Sequence, residues 1–592
     1  MSRRRLHCLK LTTQGALLHR ASTLKITLKM SIPAFTSLDF LGVGSPRFED
    51  HGSVRQADQQ GLRAAWAARF DHGDIKEAIV GVGGDFAVGL RQASGRTILA
   101  VDRFATGTLC YRIDGDRLLF AENADALAGP GAKIDPQAIF DYLYFHVVPS
   151  PRTIFTDVFR LPAGHFAIFE GGTLTVTPYW VPRFQPLDKA VPFEVLRDEF
   201  RGLLKSAVAR QLSNGKPACF LSGGTDSSTV AGIIGEVAGT PAATYSIGFG
   251  AAGYDEMSYA RLAARHFGTD HHEYYVTPED LVRNMPEVAA HYDQPFGNSS
   301  ALPALCCARM ARDDGVTRIL AGDGGDELFG GNSRYAKQRL FDAYQRVPGA
   351  LRRGLLEPLF STRAMRSMPL LRKGSSYIEQ ATQPMPDRYR AYNLLVRLGI
   401  EEVLTPSFLA QVDVHRPLQH QRLVWAAAET EHALNRELAW DWRFTLAEND
   451  LRKVCGTAQL AGIEVGFPLL DDDLLAFSMR LQPRDKLRGT QLRWFFKEAL
   501  RGFLPNEIIS KKKQGFGLPF GVWAHQHEGL RGLARDGLLG IAARGIVKPD
   551  FVRSLLDERL AQHPGYYGEM VWILTMLELW MREHAPDYRV NA

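Results

Sequence analysis

At 592 residues the chain is too long for one hydrophobic core, so two or three domains are expected. With 45% hydrophobic and 23% charged residues, no run near the ~20 apolar residues of a spanning helix, and six scattered cysteines without C-x-x-C spacing, the composition argues against a membrane span, a disulfide framework and a zinc site. A reducing cytoplasm is the expected setting. Seven of the 70 basic residues and none of the 65 acidic ones fall in residues 1–29, which leaves 63 against 65, a balance of −2; the net +5 therefore does not imply nucleic-acid binding.

Residues 1–29 are basic and acid-free. They read as a transit-like or membrane-surface segment or, the expected case, as a start placed too early, with Met30 opening the first structured stretch. Residues 30–185 carry short apolar runs punctuated by Gly and Asp, such as AIVGVGGDFAVGLRQ, RTILAVDRFATGTLCYRID and GHFAIFEGGTLTVTPYW, which predict a mostly antiparallel β domain. A helix is predicted over 192–212. From 216 onward strands and helices alternate: KPACFL, then a helix from Ser228, AATYSIGF, a helix over DEMSYARLAARHF, HHEYYV and VTRILAG. That order predicts a parallel sheet with helices on both faces. Beyond about 335 the chain reads as largely helical and rich in Arg, Leu and Trp.

Between the first of these strands and its helix lies FLSGGTDSST (220–229). Two glycines let backbone approach a ligand, and N–H groups at a helix start attract anions, so the stretch suits phosphate or pyrophosphate. It is no Walker loop, because the lysine is missing; Asp226 instead offers a ligand for Mg²⁺. A helix-capping turn would use the same residues. What separates the two readings is a second such loop, DGGDELFGG (323–331), at the end of VTRILAG, again on the carboxyl edge of the sheet where open α/β folds bind ligands.

With both loops present, the chain resembles the asparagine synthetase superfamily of ATP pyrophosphatases. SGGTDSS, TYSIGF, YDEMSYARLAARHFGTDHHEYYV, DQPFGNSSALP, GDGGDELFGG, IEVGFPLLD and KKKQGFGLP match its blocks in order, over roughly residues 75–530. GMP and NAD synthetases would share the first loop but not DGGDELFGG. The resemblance implies ATP and Mg²⁺. Leu221, Ser222 and Ile247 would border the adenosine, and Gly322 would lie beside the adenylate. Ser222, Gly223, Gly224, Asp226 and Ser227 would hold pyrophosphate, with Asp226 and Asp326 on the metal. Lys513 would neutralise the pyrophosphate, and Asp323 and Glu464 are the candidates for the base that deprotonates the amine. A solvated charge run is the bland alternative for Lys513, and a buried structural ion pair for Glu464.

The chain departs from glutamine-dependent members at its start. It has Ser2 after Met1 or Ser31 after Met30, no Met-Cys-Gly, and neither the R-G-P-D-like nor the N-G-E-like glutamine-binding block in its first 80 residues. Cys8 and Cys110 are poor replacements. The expected organisation is therefore a leader (1–29), a degenerate glutamine amidotransferase-like β-sandwich (30–185) and a synthetase domain with a helical C-terminal part (190–592). An amine from elsewhere favours, by resemblance, the lasso peptide cyclases, which imply a precursor peptide substrate and a leader-peptide protease as partner. An ammonia-dependent asparagine synthetase, a β-lactam synthetase and a silent ATP-binding scaffold are the alternatives.

Overall fold

Strands β1 (Phe40–Phe48), β2 (Val82–Arg91) and β3 (Thr97–Val101) form one antiparallel run, and β7 (His165–Glu170) and β8 (Thr173–Pro178) complete it in the order β1-β2-β3-β7-β8. Between β3 and β7 the chain builds a second sheet from β4 (Cys110–Asp114), β5 (Arg117–Ala121) and β6 (Phe159–Arg160), in the order β5-β4-β6. The structure is a computed structural model that describes residues 38–71, 73–129, 131–187, 191–251, 253–361, 369–511 and 517–590. The expectation for residues 1–29 lies outside the described residues.

The two-residue period of the strands sorts their side chains into layers. On β2 and β3, Phe86, Val88, Ile98 and Ala100 face Trp66, Phe70 and Ile79 of two covering helices. Their neighbours Ala87, Leu99 and Val101 meet Tyr111, Leu118 and Phe120 of the second sheet. The far face of that sheet is not solvent-exposed: Cys110 and Leu119 join a core that runs on through Ile139 and Tyr142 to Leu302 and Trp572 of the following half. Each large side chain fully buried there contributes about 1.5–3 kcal/mol, so the far face of the second sheet is held against the synthetase half, while the first sheet packs on two cores of its own.

Five parallel strands organise that half: β9 (Ala218–Phe220), β10 (Ala243–Phe249), β11 (Asp270–Val276), β12 (Arg318–Leu320) and β13 (Glu464–Gly466), in the order β11-β10-β9-β12-β13. Alternate residues divide between two cores. Ala218, Ala243 and Ile319 pack with helix Ala301–Asp313, whereas Cys219 and Leu320 pack with helices Phe193–Gln211 and Thr225–Ala238. Helices thus cover both faces, as expected. β9 and β12 are only three residues long because glycine loops interrupt both at the carboxyl edge. One expectation is corrected here: the helix after the first loop starts at Thr225, not Ser228, so Asp226 and Ser227 belong to its first turn.

The C-terminal part is helical. The longest described helix, Pro564–His584, is buried over Met570–Met581 and packs against helix Glu528–Ala543. No described helix is long and apolar enough to cross a membrane.

Lys486 is wholly buried, its ammonium 4.8 Å from the centre of the Phe184 ring and without a hydrogen-bond partner. Burial pushes its pKa down from 10.5 to about 7. Because the folded value is depressed, this group's contribution is most favourable above pH 10.5 and is lost as pH falls through 7. Lys486→Met is expected to stabilise the protein by about 1–4 kcal/mol near pH 7. Chemical denaturation at pH 7 and pH 11 should show that gain disappearing at the higher pH.

Candidate active site

The first loop leaves β9 and reaches a helix start within four residues. Gly223 sits at φ +69°, and a Cβ there would stand 2.4 Å from the backbone nitrogen of Ala260, so only glycine passes. The Ser222 and Ser227 hydroxyls lie 3.0 Å apart, and Ser227 Oγ accepts the Ser222 N–H at 3.1 Å. Gly224 is the N-cap of helix Thr225–Ala238, and no side chain caps it. Its first N–H groups therefore remain available to an anion.

The second loop follows β12 and interlocks with the first. A Cβ on Gly325 would fall 2.0 Å from Asp226 Oδ1. This close approach brings Asp226 and Asp326 together on one cation: Arg493 Nη1 donates to both carboxylates at 2.7 Å, and its Nη2 donates to Asp226. The Arg493 side chain is 6% exposed, lies 4.1 Å over the Phe496 ring and sits on backbone at φ +57°. Two carboxylates from separate loops converging on one positive group form a donor set that fits Mg²⁺, with the guanidinium standing where a divalent cation would find oxygen ligands.

Both loops open into a cavity of about 970 Å³ lined by Ser222, Gly224, Asp226, Ser227, Gly322, Asp323 and Asp326. Lys453, Lys497 and Lys511 also line it. Lys511 pairs with Glu256 at 3.0 Å and lies 4.3 Å over the Tyr259 ring. An adjoining hollow of about 140 Å³ has apolar walls from Leu221, Tyr245, Ile247, Met257 and Pro303, suited to a flat heterocycle. Asp323 lines both spaces. Burial pushes its carboxyl up to about 6, against the pull of the Lys453 ammonium 3.8 Å away.

Of the residues singled out in the sequence, Leu221, Ser222, Gly224, Asp226, Ser227, Ile247, Gly322, Asp323 and Asp326 line these two connected spaces, and Gly223 shapes the first loop. Glu464 does not join them. It opens β13 opposite Arg318, at the amino end of a sheet whose loops gather at the carboxyl end, and its exposed side chain pairs with Arg318 at 2.9 Å. The expectation of Glu464 as amine base is corrected on that ground. Lys513 lies outside the described residues. Cys110 is buried, and burial holds its thiol well above the usual range, so it is no nucleophile.

Arg493 and Lys453 were not singled out from the sequence. Arg493 stands 267 residues from Asp226, in GTQLRWFFKEAL, where nothing but an ordinary amphipathic pattern is visible. Arg493→Gln is expected to destabilise the metal-free protein by about 3 kcal/mol, since a buried ion pair loses one partner. Saturating Mg²⁺ should raise the variant's melting temperature more than the parent's; equal shifts would mean that the acids do not take the metal.

Comparison with protein families matches residues 199–582 to the asparagine synthase family and residues 69–180 to a glutamine amidotransferase domain. The chain is 25% identical over 492 residues to glutamine-hydrolyzing asparagine synthetase 1 of Bacillus subtilis (strain 168), covering 81% of this chain and 74% of the relative. Glutamine-hydrolyzing asparagine synthetase 3 of the same organism is 24% identical over 437 residues, covering 70% and 64%. The glutamine-hydrolyzing asparagine synthetase of Brassica oleracea is 32% identical over 181 residues, covering 29% and 30%.

Proposed function

The chain belongs to the asparagine synthase family and is an ATP-dependent ligase of that type, and we propose that it adenylates a substrate carboxylate and passes the acyl group to an amine that is not released from glutamine by its own N-terminal domain. The observation that carries this reading is the convergence of two acid-bearing glycine loops on one cavity beside an apolar hollow.

A carboxylate oxygen of the substrate attacks the α-phosphorus of ATP, and the bond to the β-phosphate oxygen breaks. The first-turn N–H groups of helix Thr225–Ala238 and the Ser222 and Ser227 hydroxyls receive the departing pyrophosphate. Arg493 and Lys497 add positive charge on the same wall. Asp226 and Asp326 would hold Mg²⁺, which supplies charge neutralisation on the phosphates when bound. The amine nitrogen then attacks the acyl carbon, AMP leaves, and Asp323 takes the proton the nitrogen sheds, with Lys453 stabilising its anionic form.

The relatives are named glutamine-hydrolyzing asparagine synthetases, which favours asparagine as the product; without glutamine hydrolysis in this chain, the first reading is aspartate as the carboxylate and ammonia as the amine. A second reading, closure of a macrolactam between a precursor peptide's N-terminal amine and an Asp or Glu side chain, draws on the missing glutamine-binding blocks and on the size of the cavity, about 970 Å³. In that case a leader-peptide protease would be the partner. Residues 30–185 would then serve as scaffold. Pyrophosphate release is measured with aspartate plus ammonium, and separately with a leader-free peptide bearing an acid at position 7 to 9, with mass analysis of each product. Asparagine formed without glutamine supports the first reading. Loss of one water (~18 Da) from the peptide, by condensation of amine with carboxylate, supports the second. Release with neither substrate, against a working positive control, would refute both.

A further inference from the structure

At the amino end of the parallel sheet, away from the glycine loops, a strand and a helix end bring three metal-ligating side chains together. Asp270 opens β11 and His272 follows two residues later, so both side chains leave the same face of the strand. Asp314 is the C-cap of helix Ala301–Asp313. Their ligand atoms all lie within 4.8 Å of one another, the one such group of His, Cys, Asp and Glu among the described residues. None of the three lines the nucleotide cavity or the hollow beside it.

His272 Nε2 stands 3.2 Å from Asp270 Oδ2 and 3.4 Å from Asp314 Oδ2. It is buried and makes a hydrogen bond to neither. Zn²⁺ takes imidazole nitrogen and carboxylate oxygen at about 2.0–2.2 Å in tetrahedral sites, which sets neighbouring ligand atoms roughly 3.3–3.6 Å apart. Both separations from the ring nitrogen are close to that edge, so the three atoms need little movement to share an ion. The imidazole is also held in place: its ring stacks on Tyr245 at 5.0 Å and 17°, and the Tyr245 hydroxyl donates to Asp314. Outer contacts of this kind fix the orientation of metal ligands.

The two carboxylates already share a cation. Lys216 pairs with Asp314 and, at 3.3 Å, with Asp270, and its contact holds the Asp314 carboxyl below the usual carboxylate range. Both acids are exposed and open to ions from solvent. The lysine is a weak occupant, because an exposed ion pair contributes little and its flexible stem, one-third exposed, withdraws readily into water. An imidazole beside two carboxylates selects Zn²⁺ over Mg²⁺ or Ca²⁺, which prefer oxygen alone. We propose that Asp270, His272 and Asp314 bind Zn²⁺, the ion displacing the Lys216 ammonium, taking water as its fourth ligand, and tying the start of β11 to the end of helix Ala301–Asp313.

Calorimetric titration of the full, chelator-treated chain with zinc chloride tests this, with saturating Mg²⁺ present to occupy the acids of the glycine loops. The parent is expected to bind one equivalent of Zn²⁺ more than His272→Ala, and that equivalent should raise the melting temperature of the parent alone. Asp314→Asn, at an exposed position, should lose the same equivalent, which guards against a folding defect in the histidine variant. Lys216→Met removes the competing charge and should tighten the binding about fivefold. Tyr245→Phe, which frees the Asp314 carboxylate from its hydroxyl, should weaken it about tenfold. Equal zinc stoichiometry in the parent and in both ligand variants, or binding by Lys216→Met no tighter than the parent's, would each overturn the proposal.

Discussion

Asp226→Ala is expected to reduce ATP-dependent pyrophosphate release by at least about a thousandfold, the loss typical of removing a preorganised group that stabilises developing charge. The carboxylate stands in the first turn of the pyrophosphate-facing helix and shares one cation with Asp326 across the two loops. Without it the donor set for Mg²⁺ falls from two carboxylates to one, and the charge on the leaving pyrophosphate loses its counter-ion. Truncation also frees Arg493, which then pairs with Asp326 alone. A lowered melting temperature would confuse the result, so Asp226→Asn, which keeps the size and a hydrogen-bonding oxygen for the guanidinium, is measured in parallel. Both variants should bind ATP weakly or normally yet release no pyrophosphate. If Asp226→Asn kept even a tenth of the parent rate in isotope exchange between pyrophosphate and ATP, the carboxylate would not be the metal ligand.

The parts of this site that could be read from the sequence share one property: their chemistry is local. SGGTDSS and DGGDELFGG each announce a strand end, a tight turn and an acid within ten residues, and the parallel order of strands places both at one edge. Arg493 and Lys453 act across the fold, and their positions follow from how distant helices pack, which no spacing records. Glu464 shows the reverse failure. Its block is local and recognisable, but a carboxylate on a three-residue strand can stand at either end of it, and here it stands at the amino end. The sequence does not show that the helix starts at Thr225 rather than Ser228, because Thr, Asp and Ser suit a turn as well as a first helical turn. Nor does alternation in β4 and β5 reveal that Cys110 and Leu119 face a second core, since a strand buried on both sides and one half-exposed differ only in which apolar residues sit between.

Asp323→Asn separates the two halves of the reaction. Adenylation needs the loops and the metal acids, so pyrophosphate release in a single turnover should stay within about tenfold of the parent. Amide formation should fall by about a hundred- to ten-thousandfold, the range for losing a general base. The sign of the pH dependence follows from the groups around the carboxyl. Burial raises it to about 6; the Lys453 ammonium opposes this, while Asp450 on the same helical run and Asp226 across the loops add to it. A base works when deprotonated, so amide formation should rise as pH increases through about 6 and level off above 7, and that rise should be missing in Asp323→Asn. Lys453→Met takes away the charge that holds Asp323 down, and should shift the rise to higher pH without removing it. A rise that persisted unchanged in Asp323→Asn would assign the proton to another group, and a parallel loss of both half-reactions would place Asp323 in nucleotide binding instead.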